Sequence, residues 1–257
     1  MQSSIELNRT AETQYLLRIG DTCLILAQRL GEWCGHAPVL EEDIAMANIA
    51  LDLVGQARAV LTRAGQVEGL AHDEDQLAFL RDERDYLNLT LVELPRGDFA
   101  FSVLRNTMVA TWLKLLWERL ASSSDAELAA IAGKAVKEAR YHQQHSGDWV
   151  VRLGDGTPES RKRMTAALLD LWRYTPELFD TDVVDEEAAA AGLGPLWSDL
   201  KAPWHAEMDM ILGEAGMAVP AASAFRSEGK RGRHSEHMGF ILTDMQYLQR
   251  AFPGGVW

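Results

Sequence analysis

The side chains best equipped for chemistry are two groups of histidines and carboxylates: Glu138, His142 and His145, spaced four and three apart, and His234, Glu236 and His237. Residues three or four apart share one helix face, where a carboxylate and an imidazole can reach a common metal. In helical bundles a Glu from each of two helices plus a Glu-x-x-His from each of two others builds a di-iron carboxylate centre, which activates O2. Counting those ligands is therefore the first test of the chain.

The first long helical stretch offers Asp21 and Glu32, and the second offers one interior acid, Asp52, followed three residues later by Gly55. The third has no Asp or Glu between Asp98 and Glu118, and on the fourth Glu138 is followed three residues later by Tyr141. Both imidazoles and one carboxylate are missing, so Glu32, Asp52, Glu138 and Tyr141 mark vestigial positions of a site that does not assemble. Asp52 or Glu138 buried alone would be costly, so each is expected to find an internal partner among Arg58, Arg105, Lys114 and Tyr141.

Glu138 and His145 are separated by about 10 Å of helical rise, too far to chelate one ion. The spacing predicts a Glu138/His142 pair four residues apart, with a core or interface histidine at His145. The run His234 to His237 lacks the HExxH spacing of a zinc protease and is expected to open a helix, with Ser235 near its N-cap. A free-standing di-metal enzyme using Glu138, His142, His145 and the Glu236, His234/His237 segment is the competing reading. Cys23 and Cys34 are too few for a structural zinc site and are expected to be reduced core thiols. Of the eight tryptophans, those at 33, 112, 117, 149, 172, 197 and 204 point to bulky helix packing or an interface. The basic run Gly229 to Arg233 reads as a solvated hinge or a contact to a partner's acids.

Helical periodicity positions these groups. It predicts helices over Thr13 to Trp33, Leu40 to Ala64, Phe99 to Ala121, about Ala126 to Leu153, Glu159 to Phe179, Leu196 to Gly216 and His234 to Phe252, with a charged short helix or turn over Arg81 to Asn88. The polar stretch Gly65 to Asp75 breaks the second helix, and GDGTP at Gly154 to Pro158 ends the fourth. No segment alternates as a strand would. The fold class is all-α, with residues 1–257 as one helical domain and extra helices toward the C-terminus.

The 257 residues carry 38 acidic against 25 basic side chains, a net charge of −13, which excludes a basic nucleic-acid footprint. No run of about 18 apolar residues predicts a membrane span, and the start has no secretory pattern, so a cytoplasmic protein is expected.

The blocks LGEWCGHAP (Leu30 to Pro38), ALDLVGQAR (Ala50 to Arg58), LAFLRDERDYLN (Leu77 to Asn88), KEARYH (Lys137 to His142), LWRYTPELFD (Leu171 to Asp180) and TDMQYLQR (Thr243 to Arg250) resemble the C subunits of phenylacetyl-CoA epoxidase complexes, in order and across nearly the whole chain. The resemblance implies a ferritin-like bundle that is a structural subunit in aerobic phenylacetate degradation, holding no cofactor itself. It would pair with a catalytic A subunit that carries the di-iron centre and inserts one oxygen atom of O2 into the ring of phenylacetyl-CoA, giving the 1,2-epoxide. Electrons would come from NADPH through a separate reductase with flavin and an iron-sulfur cluster. The resemblance further implies that phenylacetyl-CoA lies near the subunit boundary, against Asp85, Tyr86, Leu87 and Asn88 and against Glu186, Glu187 and Ala188. A cation would have to offset Glu186 and Glu187 beside the CoA phosphates.

Overall fold

The computed structural model describes residues 4–255. Among these residues the chain forms α1 (Ala11–Gly31), α2 (Leu40–Glu68), α3 (Glu74–Phe79), α4 (Thr90–Glu93), α5 (Phe99–Leu120), α6 (Ala126–Gly154), α7 (Pro158–Trp172), α8 (Val183–Ala190), α9 (Lys201–Glu214) and α10 (Met238–Ala251). No strand forms there; one isolated antiparallel bridge joins Glu228 and Arg233. The fold is all-α and ferritin-like: α1 pairs with α2, α5 pairs with α6, and one long crossover, residues 69–98, links the two hairpins.

The elements follow from local chemistry. Thr10 caps α1 by accepting from Thr13 N, Asp98 caps α5 by accepting from Phe101 N, and Asp125 caps α6 by accepting from Glu127 N and Leu128 N. Three boundaries differ from those expected, each for a specific reason. α2 continues past Gly65 to a left-handed Gly69 at φ 82°. Gly65 is there because the returning chain crosses it: a Cβ would lie 2.0 Å from the His72 carbonyl oxygen. The fifth predicted helix stops at Trp172 and resumes as a 3-10 turn over Thr175–Phe179, since Pro176 lacks an N–H and disfavours the helical conformation before it. The last helix begins at Met238 rather than His234, because His234 and Ser235 are tied to Glu93.

Two short helices inside expected loops, α3 and α8, are each set by a capping box, Asp73 with Gln76 and Asp182 with Asp185. The charged run Arg81 to Asn88 holds only a 3-10 turn, Glu83–Asp85. The run Trp197–Leu200 is a 3-10 turn leading into α9.

One apolar cluster runs through the helices. Trp112, Trp117, Trp197 and Trp204 are fully buried, Trp33 and Trp172 nearly so, and Trp149 packs edge-on against Phe99. Trp112 Nε1 donates to Leu178 O at 3.0 Å and Trp204 Nε1 to Met108 O at 2.9 Å, which fixes the 175–179 turn and α9 on α5. Cys23 is buried as expected; Cys34 is exposed, because α1 ends at Gly31 and the following turn faces water.

Two buried ion pairs lock the periphery. Asp21 on α1 binds the Arg81 guanidinium through both oxygens, both side chains being wholly buried, and also accepts from Leu87 N at 2.8 Å. Arg81 stacks 4.2 Å over the Tyr86 ring. Arg18 on α1 binds Asp182, the N-cap of α8, and Asp185 within that helix, and Asp185 also accepts from Lys230 Nζ at 3.0 Å. The basic run at 229–233 is therefore no solvated hinge: Lys230 is buried over the Trp197 ring, Arg231 pairs with Asp180 and Asp182, and Arg233 with Glu228. Its acids come from this chain.

Candidate functional site

Of the vestigial ligand positions, Asp52 and Glu138 lie along the seam between α2 and α6. These helices run antiparallel, so rising numbers on α6 meet falling numbers on α2. Glu138 Oε2 accepts from Gln56 Nε2 at 3.0 Å, His142 Nε2 lies 3.0 Å from Asp52 Oδ2, and His145 Nε2 lies 3.1 Å from Glu42 Oε2. On α1, the Cys23 thiol lies 3.8 Å from Gln56 Oε1. Burial, reinforced by the charges of Asp21 and Glu138, pushes that thiol far above its ordinary range, so it stays protonated and donates.

The expected partners of the acids do not meet them. Asp52 is half-exposed and takes His142, and Glu138 takes Gln56 with Lys134 Nζ at 3.8 Å. Arg58 binds Glu74, and Lys114 binds Glu207. Arg105 is fully buried but donates to the carbonyls of Leu94 and Pro95, where the crossover enters α5; burial and the nearby Arg29 pull its pKa down to about 9. Tyr141 is exposed, and Glu32, at the end of α1, pairs with Arg29. The Glu138/His142 pair expected on one face is replaced by two separate contacts across to α2, because the facing helix offers Gln56 and Asp52 at that register.

The donors do not fit a di-iron centre. On α5, Thr107 and Thr111 spend their hydroxyls on the carbonyls of Val103 and Thr107, and the helix supplies no interior carboxylate. Along the seam Glu138, Asp52 and Glu42 are spent in separate contacts with Gln56, His142 and His145, and among the described residues no three His, Cys, Asp or Glu side chains come together as a set that could hold a metal ion. The second histidine group is equally committed. His234 Nδ1 lies 2.6 Å from Glu93 Oε1 and its Nε2 lies 2.9 Å from Tyr86 O, leaving no ring nitrogen for a metal. Glu93 Oε2 also accepts from Ser235 N and Oγ, at 2.8 and 2.7 Å. Ser235 thus anchors the segment to α4, with only a long 3.4 Å contact from His237 N, instead of capping α10. Glu236 and His237 lie toward solvent.

The two buried histidines titrate in opposite directions. Burial opposes charge on His234, but Glu93 outweighs it and raises the pKa above 6.5; for His142 burial outweighs Asp52 and lowers it. The stability His234 contributes is full below 6.5 and is lost as pH rises through its raised value. That of His142 is full above 6.5 and is lost as pH falls toward its lowered one. In urea unfolding, His234→Gln is expected to cost more at about pH 5.5 than at about pH 8, and His142→Gln less.

The outer side of α2 carries Leu40, Ile44, Ala47, Leu51 and Val54, a seam spaced four, three, four and three like that of paired helices. Leu40, Ile44 and Leu51 are 72, 55 and 66% exposed. Beside it lies a shallow groove of about 610 Å³ whose walls include the small residues Ala27 and Gly31 of α1 and Ala47 and Ala50 of α2. Tyr141, Lys134 and Lys137 of α6 are exposed as well. By length and composition α2 is apolar enough to cross a membrane, contrary to the reading of the sequence, yet its inner side packs on α1 and α6. The sequence signal for this stripe is the stretch IAMANIALDLVGQA, Ile44 to Ala57, which is apolar almost all round the helix.

Of the segment 85–88, Asp85 is half-buried and held by Ser4 and Arg9. Tyr86, Leu87 and Asn88 are buried, donating to Ala78 O, Asp21 and Glu93. Glu186 is exposed, while Glu187 and Ala188 line a cleft of about 740 Å³ together with Glu12, Arg63, Asp125 and Glu127. Arg63 already binds Asp125 at 2.7 Å, so the cleft is net negative and disfavours a phosphate.

The family model described as "Phenylacetic acid catabolic protein" matches residues 1–257. The chain belongs to this family. A relative from Escherichia coli (strain K12), the C subunit of 1,2-phenylacetyl-CoA epoxidase, is 51% identical over 245 residues, covering 95% of this chain and 98% of that protein. As a phenylacetic acid catabolic protein the chain is similar over nearly its whole length to a protein named as an epoxidase subunit.

Proposed function

We propose that the chain is a non-catalytic structural subunit of a ring 1,2-phenylacetyl-CoA epoxidase and that it pairs with the catalytic A subunit, which holds the di-iron centre. The observation that carries this reading is the exposed apolar seam of α2 on a bundle whose own donors do not fit a di-iron centre. A seam of Leu, Ile and Val beside a groove of small residues suits a partner helix. The acidic cleft and the burial of Tyr86 to Asn88 favour leaving the CoA thioester to the partner's side of the boundary.

The test has two arms. Iron, manganese and zinc are measured on the purified chain expressed in metal-supplemented medium, and the chain is then mixed in air with the di-iron protein, phenylacetyl-CoA, NADPH and the reductase. Less than a tenth of an equivalent of metal, with a stable heteromer required for epoxide formation, is the expected result. Two metal ions per chain, or epoxidation by the chain alone, would favour the di-metal enzyme instead.

A further inference from the structure

α10 is fixed to the body along one side. Met238, Ile241 and Leu242 are buried, and the Gln246 amide donates to Ala78 O, Arg81 O and Tyr86 Oη. Its other side presents Phe240 and Tyr247, seven residues apart, with Leu248 beside them, at 71, 62 and 51% exposure. These side chains offer on the order of 400 Å² of surface, the size of a functional patch and about half of what each partner contributes to a stable dimer. The area suits a single docked segment.

The charge around this ridge is acidic. Asp244 lies within the same arc of α10, Glu236 precedes the helix, and Glu83 sits against Gly239, where a Cβ would be 3.2 Å from its Oε2. Asp75 of α3 and Gln249 of α10 line a crevice of about 160 Å³ next to it. Arg250 is already engaged, by Asp82 Oδ1 at 3.1 Å and by the carbonyls of Phe79 and Arg81. Arg84 is exposed in the same turn as Glu83 and leaves the rim net acidic. A second copy would set Asp244 against its own counterpart in a chain of net charge −13, so self-pairing is disfavoured.

We propose that this face of α10 docks a short cationic amphipathic helix of another component of the assembly. Its apolar residues lie on Phe240, Tyr247 and Leu248, and its Lys or Arg side chains meet Asp244, Glu83 and Glu236. That the occupant belongs to the epoxidase assembly rests on the function proposed above; that it is cationic and amphipathic rests on α10 alone. The protein would then hold two components, one on α2 and one on α10.

In the assembly reconstituted from its purified components, a photo-crosslinking residue is placed at position 247 (Tyr247→p-benzoylphenylalanine) and, in a second preparation, at position 51. Position 247 is expected to capture a Lys- or Arg-containing helical peptide different from the one captured at 51. No capture at 247, capture of a second copy of this chain, or capture of a segment without basic residues overturns the proposal. A failure confined to position 51 counts against pairing through α2 and leaves the α10 result to be read on its own. The double variant Phe240→Lys/Tyr247→Lys is expected to retain the component captured at 247 at least tenfold more weakly, with an unchanged melting temperature; unchanged retention also overturns it.

Discussion

Asp21→Ala is expected to destabilise the chain by about 3–5 kcal/mol, because it leaves Arg81 as an uncompensated charge with no access to water. The remaining partners of Arg81, the carbonyls of Leu77 and Asp85 and the ring of Tyr86, cannot replace a carboxylate. The loss extends beyond one pair, since Asp21 also receives Leu87 N and so holds the whole 81–88 segment on α1. For a protein of this size the melting temperature should fall by roughly 10–15 °C. Replacing both partners with apolar residues, Asp21→Leu with Arg81→Met, should recover much of the loss. Differential scanning calorimetry reads both; a shift of less than 2 °C in Asp21→Ala would contradict the ion pair's role.

The second large effect concerns association. Leu51→Glu with Val54→Glu places two carboxylates on the α2 seam beside the groove of small residues, where pairing would strip them of water with no cation opposite. Affinity for the di-iron protein, measured by titration calorimetry, is expected to fall by about 100-fold or more. Both positions face solvent in the isolated chain, so its circular dichroism and melting temperature should not change. Tyr141→Ala, on the neighbouring helix, is expected to cause a smaller loss.

The four bundle helices were legible in the spacing of apolar residues, and the missing metal ligands in a simple count along them. Both properties live within single helices. What sits opposite a side chain does not: Gln56 donates to Glu138 and Glu42 lies beside His145 only because α2 and α6 run antiparallel at one register. The choice of Arg105 as a partner failed for the same reason, its reach being spent on carbonyls where α5 begins. Gly65 looked like a helix stop because glycine serves both as a breaker and as a point of close approach. The capping boxes of α3 and α8 were readable in Asp73 with Gln76 and Asp182 with Asp185 but lay within stretches too polar to suggest helix.

The tether between His234, Ser235 and Glu93 spans 141 residues of sequence, which bears on the order in which a growing chain can mature. Glu93 emerges from the ribosome long before residue 234 does; at about 5–20 residues per second the wait is on the order of 10–30 s. Until then a carboxylate that ends wholly buried has only Asn88 to hold it, and the crossover cannot close against α1 without stranding that charge. The two helical hairpins can form early from near-neighbour contacts, whereas the crossover and the C-terminal segment must set together, late and over a long loop. Nascent chains halted before residue 234 should therefore show protease-resistant hairpins flanking a cleavable stretch from 69 to 98.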